Sequence, residues 1–305
     1  MSRRVIQVEE HPPLGESLPL SLQHLFAMFG ASVLVPILFK VNPATVLFMN
    51  GVGTLIYIWV TKRKIPAFLG SSFAFISPVF VVMASQSYSA ALGGFIAAGL
   101  IFMAVALMIG RIGIGWLDYV FPPAAMGAIV AIIGLELAPV AAKMAGLVPD
   151  PSNPALFMAP KVVAVSLVTL ATVVLGSVMF RGFLAVIPVL LGVIVGYTFS
   201  LALGMVTFDA IREAHWLALP TFHVPVFSIG AIITIIPAAL VVIAEHIGHL
   251  VVTGNICGRD FVKDPGLHRS LMGDGLSTTL SGLVGSVPTT TYGENIGVLA
   301  ITRVY

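Results

Sequence analysis

Charge is what this chain has least of: Asp, Glu, Lys and Arg make up 9% of its 305 residues, against about 25% in an ordinary soluble domain. With 58% hydrophobic residues and a mean hydropathy of +1.05, that scarcity excludes a water-soluble globular fold and indicates a polytopic membrane protein. Cysteine is scarcer still. The single Cys257 excludes an internal disulfide and offers no thiol redox motif. No basic run exceeds Lys62-Arg63-Lys64, so the formal charge of +2 carries no nucleic-acid signature, and nucleic acid is not expected as a partner. No Lys or Arg falls in the interior of an apolar span, Lys161 and Arg303 standing at span ends, which leaves a strongly anionic ligand only helix N-termini to neutralise it. A cleavable leader is not expected either. Met1 to Glu16 is polar, with Pro12-Pro13, and the first apolar run is long enough to span.

What is present is a series of ten apolar segments, each ended by Gly, Pro or charge: 18–39, 43–61, 67–84, 89–109, 121–142, 161–179, 183–205, 227–253, 270–286 and 288–304. The placement of Lys and Arg tests this count. With a cytoplasmic N-terminus, the inside set is Arg3, Arg4, Lys62, Arg63, Lys64, Arg111, Arg181, Arg259, Lys263, Arg269 and Arg303. The outside set is Lys40, Lys143, Lys161 and Arg212. Eleven against four satisfies the positive-inside rule.

Two segments are irregular. The tenth opens Ser286-Val287-Pro288-Thr289-Thr290-Thr291-Tyr292-Gly293-Glu294-Asn295, where Pro, β-branched hydroxyls and Gly predict an extended piece and then a helix starting near Gly293 or Glu294. The third, Pro66 to Pro78, has the same grammar: Gly70-Ser71-Ser72, then Phe73, then a run able to be helical. Broken backbone at membrane depth survives only where it lines a cavity or is buried in protein. Phe73 and Tyr292 lie 219 positions apart. Gln23-His24 in the first span and Glu245-His246 in the eighth lie 222 apart. The shared offset implies a repeat of about seven spans, and an odd count inverts the second copy in the membrane. A second copy from near residue 223 would extend past about residue 430, so the chain is expected to be a fragment.

Intramembrane acids cost roughly 2.5–3.5 kcal/mol on insertion scales and mark function by default. Glu245 and His249 are four apart and share a helix face, a natural proton-handling pair whose bland alternative is a structural contact between spans. His246 points about 100° away and reads as packing or helix bridging. Glu294 falls in the first turn of a half-helix, where the dipole favours an anion; a plain capping role is its alternative. Asp274, flanked by Gly273 and Gly275, reads as a loop or cap, Glu136 as a headgroup-region residue, and Asn50 with Gly51-Val52-Gly53 as small-residue packing. Metal binding is disfavoured, because a zinc helix of HExxH type spaces its histidines four apart with the Glu between, unlike Glu245-His246 and His249. The ligand this chemistry suits is neutral, planar and furnished with both N–H and C=O groups: the carboxylates accept, and backbone N–H groups freed near Phe73 and Gly293 donate. A nucleobase fits, as do other small heterocycles.

Glu294-Asn295-Ile296-Gly297-Val298-Leu299-Ala300-Ile301-Thr302-Arg303 resembles the signature of the nucleobase–ascorbate transporter family: an acid or amide, Asn, one residue, Gly, four residues, Thr, then a basic or small residue. Gln23-His24 is similar to that family's polar–His motif. With Gly70 to Phe75 and Ala244 to His249, the likeness runs from about Pro19 to the last residue.

The resemblance implies an all-α polytopic fold of fourteen spans in two inverted seven-span repeats, of which ten are present here. Spans three and ten would each be a short strand plus a half-helix, with the two strands paired. It divides the chain into a cytoplasmic tail (1–17), a first core segment (18–109, spans one to four), a gate segment (110–222, spans five to seven) and a second core segment (223–305, spans eight to ten). The implied function is secondary active import of uracil with protons across a bacterial inner membrane, with no enzymatic activity and no cofactor. Glu245 and Glu294 would hold the ring, the backbone at Phe73 and Gly293 would contact it, and Tyr292 would pack on it. His249 with Glu245 would couple protons, and Gln23, His24 and Asn295 would support the site. Glu at the first signature position resembles carriers of uracil; carriers of xanthine and urate commonly have Gln there. The expected partners are uracil, the proton and the lipid bilayer, with a homodimer left open.

Overall fold

The computed structural model describes residues 5–120, 122–151, 153–181, 184, 187–213 and 219–305. The chain divides into two compact units, residues 1–133 with 220–305, and residues 134–219. The first two helices are α1 (Leu14–Phe39) and α2 (Pro43–Val60). Lys40 takes the left-handed conformation (φ 57°) that ends α1. Asn42 then accepts the Ala44 N–H at 2.9 Å ahead of Pro43, whose missing N–H costs nothing at a first helical position.

The third segment does not form one helix. It gives β1 (Leu69–Ser71), a 3₁₀ turn at Phe73–Phe75 and α3 (Ile76–Ser85), after which Ser87 caps α4 (Tyr88–Ile112). There follow α5 (Leu117–Val120), α6 (Pro123–Met144), α7 (Pro160–Met179), α8 (Pro188–Ala202) and α9 (Asp209–Glu213). The last group is α10 (Ile229–Cys257), α11 (Leu267–Val284), β2 (Thr289–Thr291) and α12 (Gly293–Thr302). Among the described residues, α1, α2, α4, α7 and α10 are long and apolar enough to cross a membrane by length and composition. In the second unit, α7 and α8 pack with Gly192 and Gly196 facing Val173 and Thr169.

The remaining structure concerns the first unit. Its centre is a two-stranded antiparallel ribbon. Leu69 lies opposite Thr291, Gly70 opposite Thr290 and Ser71 opposite Thr289. The pairing is extended by Ser72 N–H to the Pro288 carbonyl (2.9 Å) and Tyr292 N–H to the Phe68 carbonyl (3.1 Å). All six strand residues are buried. Non-helical backbone so deep in an apolar structure is tolerable because each strand supplies the other's partners. Around the ribbon the elements pair in a matched way: β1 lies on α2 and β2 on α11, while α3 packs on α10 and α12 on α1.

Helix α11 is the least apolar of the long helices and among the most enclosed. Its Ser270, Gly273, Asp274, Gly275, Ser277, Thr278, Ser281 and Gly282 are all buried. Small residues let the neighbouring backbones come close. A Cβ added at Gly275 would lie 2.8 Å from the Gly99 carbonyl, and one at Gly282 would lie 3.0 Å from the Leu92 carbonyl of α4. This corrects the reading of Asp274 as a loop or cap. The Gly-Asp-Gly triplet sits inside a helix wedged between α4 and α2, where glycine serves packing rather than a turn.

One face of this unit gathers Lys62, Arg63, Lys64, Arg111, Arg259, Lys263, Arg269 and Arg303; Lys40 lies at the other. On the cationic face, Arg259 donates to both Glu9 oxygens (2.5 and 2.6 Å), Lys64 reaches Asp264 (2.6 Å), and Arg269 donates to the Val60 carbonyl (3.3 Å). Ile6 pairs with Val304 there, joining the N-terminal tail to the segment after α12.

Candidate functional site

The ribbon divides the hydroxyls of β2 between faces. Thr289 and Thr291 point to the same side, Thr291 being met from α10 and Thr289 from α11. Thr291 Oγ1 lies 3.0 Å from His249 Nδ1. Thr289 Oγ1 donates to Asp274 Oδ1 (3.1 Å), and that carboxylate's Oδ2 lies 3.1 Å from His246 Nδ1. His249 of α10 thus reaches β2 directly, while His246 reaches it only through Asp274 of α11.

Glu245 stands next to His246 on the chain, one helical turn before His249. Its Oε2 is sealed from solvent and makes no hydrogen bond. The carboxylates of Asp274 and Glu294 lie near enough for their charge to be felt at Glu245. A buried acceptor with no donor is an expensive feature, and it fits a position awaiting an N–H from outside the protein. Glu294 occupies the first turn of α12 and is exposed, beside the partial positive charge of that helix end. Gly293, also exposed, has its Cα against His249: an added Cβ would stand 3.3 Å from Nε2. Glu245, His249, Gly293 and Glu294 are therefore brought to one neighbourhood. Phe73 opens the 3₁₀ turn after β1, half-buried, and that turn packs on α10.

Tyr292 is turned the other way. Its hydroxyl donates to the Ser71 carbonyl (3.1 Å) and accepts from Ser32 Oγ (3.3 Å), and its ring stacks edge-on to Phe68 with centroids 5.7 Å apart. The ring lies flat over Gly70, where an added Cβ would come within 2.6 Å of both Cε atoms. Only glycine admits this approach. Next to it, Asn295 Nδ2 donates to His24 Nδ1 (3.0 Å) and to the His24 carbonyl (3.3 Å), joining α12 to α1. His24, Tyr292 and Asn295 border a cavity of about 590 Å³ that Met28, Phe68 and Leu299 also line. Gln23 is half-buried on α1 beside His24.

Sequence reasoning missed the extent of the polar network behind the ribbon. His246 and Asp274 are both wholly buried. His246 Nε2 lies 2.7 Å from Ser270 Oγ, which lies 2.6 Å from the Tyr57 hydroxyl of α2. Ser277 and Thr278 add further hydrogen bonds to Thr289. The available signal was the density of hydroxyls and one acid along a membrane-buried helix. Among the described residues, no group of three His, Cys, Asp or Glu is arranged to hold a metal ion.

The fold has a counterpart among solved structures. The transmembrane domain of a cyanobacterial bicarbonate transporter, BicA, superposes with a TM-score of 0.60, covering 93% of this chain and 80% of that one. At 16% identity the likeness is one of fold alone. Sequence comparison carries the assignment further. Residues 15–305 match the model of the Permease family, and the chain belongs to that family. It is 62% identical over 306 aligned positions to a protein of Escherichia coli K12 named uracil permease, and 61% identical over 305 residues to one of that name from Paenibacillus larvae. Both alignments take in all of this chain and 70% and 72% of the respective relative. The chain is accordingly a permease and not an enzyme.

Proposed function

We propose that this chain is a uracil carrier that couples import to protons, with the ring held between Glu245 and Glu294. The observation that carries the reading is the unpartnered Glu245 Oε2 beside a β-ribbon whose far end delivers Gly293 and Glu294. Uracil presents two ring N–H groups and two carbonyls. The carboxylates accept from N–H, and N–H groups at the start of α12 and at the 3₁₀ turn from Phe73 donate to C=O. The names of the Escherichia coli and Paenibacillus larvae relatives support the choice of base. Tyr292 holds the ribbon from the opposite side, while Asn295 and His24 join α12 to α1 and Gln23, beside His24, supports the site.

Proton coupling runs through His249 and Glu245, one helical turn apart on α10, with His249 touching β2 at Thr291. A proton bound here changes which access state is favoured only if its affinity differs between those states. The exchange of partners around the ribbon supports two inverted copies: α3 on α10 and α12 on α1, β1 on α2 and β2 on α11. In that scheme α1–α4 and α10–α12 are core and residues 110–222 belong to a gate. The cation-rich face, which carries the N-terminal tail, is cytoplasmic.

The test is uracil binding by calorimetry on the purified chain, alongside uptake into vesicles with and without a proton gradient. Glu245→Gln and Glu294→Gln are each expected to lower affinity by about ten- to a hundredfold, since a hydrogen bond from a buried N–H to a charged acceptor contributes about 1.5–3 kcal/mol and the neutral amide oxygen is a weaker acceptor. Wild-type affinity in Glu294→Gln refutes the site. A panel of competing bases refutes the substrate if xanthine or urate displaces uracil at lower concentration.

A further inference from the structure

His246, Asp274 and Thr289 form a chain of contacts behind the ribbon that reaches none of the residues assigned to the ligand. With the carboxylate accepting and the imidazole neutral, the ring proton of His246 is on Nδ1. Nε2 then accepts from Ser270, and Ser270 accepts from Tyr57. The result is an unbroken donor-to-acceptor run from Tyr57 of α2, through α11 and α10, to Asp274. The second carboxylate oxygen is taken up by Thr289 of β2. Every member is buried: His246 and Asp274 at 0% side-chain exposure, and Tyr57, Ser270 and Thr289 at 0% overall. A set of polar groups this deep is stable only while each partner remains in place, because an orphaned member bears its full desolvation cost.

Simple packing does not require this chemistry. An apolar triple of similar volume would fill the space at lower risk. What the polar set adds is direction. The Thr289 hydroxyl faces two acceptors, Asp274 Oδ1 (3.1 Å) and Ser277 Oγ (2.9 Å), and Thr278 Oγ1 lies 3.1 Å from the same oxygen, so rotation of Thr289 is fixed from three sides. Thr289 lies two residues before Thr291 and five before Glu294. Because strand and helix follow without a linker, the register of β2 sets where Gly293 and Glu294 stand.

We propose that Asp274, held by His246, is a positioning residue for the ligand site, acting through the Thr289 hydroxyl on the register of β2. The proposal rests on the reading of Glu245 and Glu294 as the binding acids, and its test separates the two. Thr289→Val keeps the shape and removes the hydroxyl; Thr289→Ser keeps the hydroxyl. Asp274→Asn serves as a second probe of the same contact. Two readouts are taken on the whole chain in detergent: uracil affinity, and hydrogen exchange of the amides from residue 289 to 296 without ligand.

The expected result is an affinity at least about tenfold weaker in Thr289→Val and in Asp274→Asn, the loss of about one hydrogen bond to a charged group. Exchange from 289 to 296 becomes faster in both, and Thr289→Ser stays within about threefold of wild type on both readouts. Equal losses in Val and Ser would mean packing alone and overturn the proposal. So would wild-type affinity and exchange in Thr289→Val. If no variant, nor the wild type, binds uracil while exchange rises in Val but not in Ser, the positioning role stands and the choice of ligand falls.

Discussion

Replacing Gly70 with alanine tests the ribbon where it is tightest. The new methyl would sit within 2.6 Å of Cε1 and Cε2 of Tyr292, well inside van der Waals contact. The ring cannot swing away freely. Its hydroxyl is tied to the Ser71 carbonyl and Ser32 at 3.1 and 3.3 Å, and Phe68 closes the other side at 5.7 Å between centroids. Overpacking a filled site costs about 1–3 kcal/mol. Moving the ring far enough to relieve it forfeits the two hydroxyl hydrogen bonds, each contributing about 0.5–1.5 kcal/mol. By either route a cost of about 1–3 kcal/mol therefore falls on Gly70 and Tyr292, one residue from Gly293. Some of that strain displaces the start of α12, so uracil affinity should fall by about tenfold or more, with a lower melting temperature in detergent. The double variant Gly70→Ala with Tyr292→Leu, which removes the colliding ring, should lose less than the sum of the singles. Additive losses, or a Gly70→Ala protein with unchanged affinity and melting, would refute the reasoning.

Other outcomes follow from contacts already described. His249→Ala should impair gradient-driven uptake more than equilibrium uracil binding, because it touches Thr291 rather than supplying an acid to the ring; vesicle uptake against calorimetry distinguishes these. Asn295→Ala removes the two donations to His24 and should weaken the docking of α12 on α1, read as faster amide exchange from 296 to 302 and a loss of about 1–2 kcal/mol in stability. The Arg259 guanidinium holds the Glu9 carboxyl below the ordinary glutamate value. A lowered folded-state value means the pair helps at pH above the ordinary range near about 4.3 and is lost as pH falls through Glu9's own value. Exchange at the Ile6 and Tyr305 amides, which bridge the tail to the end of the chain, should accelerate in that acid window, and Arg259→Ala should abolish the pH dependence.

Much of the fold is legible because the membrane punishes irregularity. Pro66, Gly70 and the serines, and later Pro288 with three threonines and Gly293, cannot continue a helix, and the structure breaks at both places. Asn42-Pro43 and Ser87 mark helix starts by cap chemistry that any sequence displays. The pairing of the strands is not readable from pattern, since three residues are too few to show an alternation; it comes from resemblance. Asp274 escapes a local reading for a related reason. Gly-Asp-Gly is turn grammar in water, but in a helix enclosed by α2 and α4 the glycines admit neighbouring backbones and the acid answers a histidine on another span. Such a partnership between residues 28 apart on different helices leaves no local trace. The side chosen by Tyr292 is equally hidden, because it depends on Gly70 across the ribbon.

The ribbon also dictates a timetable for biogenesis. Ser71 and the tyrosine that pins it are separated by 221 positions, so at about 5–20 residues per second β1 leaves the ribosome on the order of ten to forty seconds before its mate exists. During that interval its carbonyls and amides sit at membrane depth with no strand opposite, a state hydrocarbon does not tolerate. The first three spans must therefore be sheltered, by water in the insertion machinery or by an alternative fold, until residue 291 has been translated.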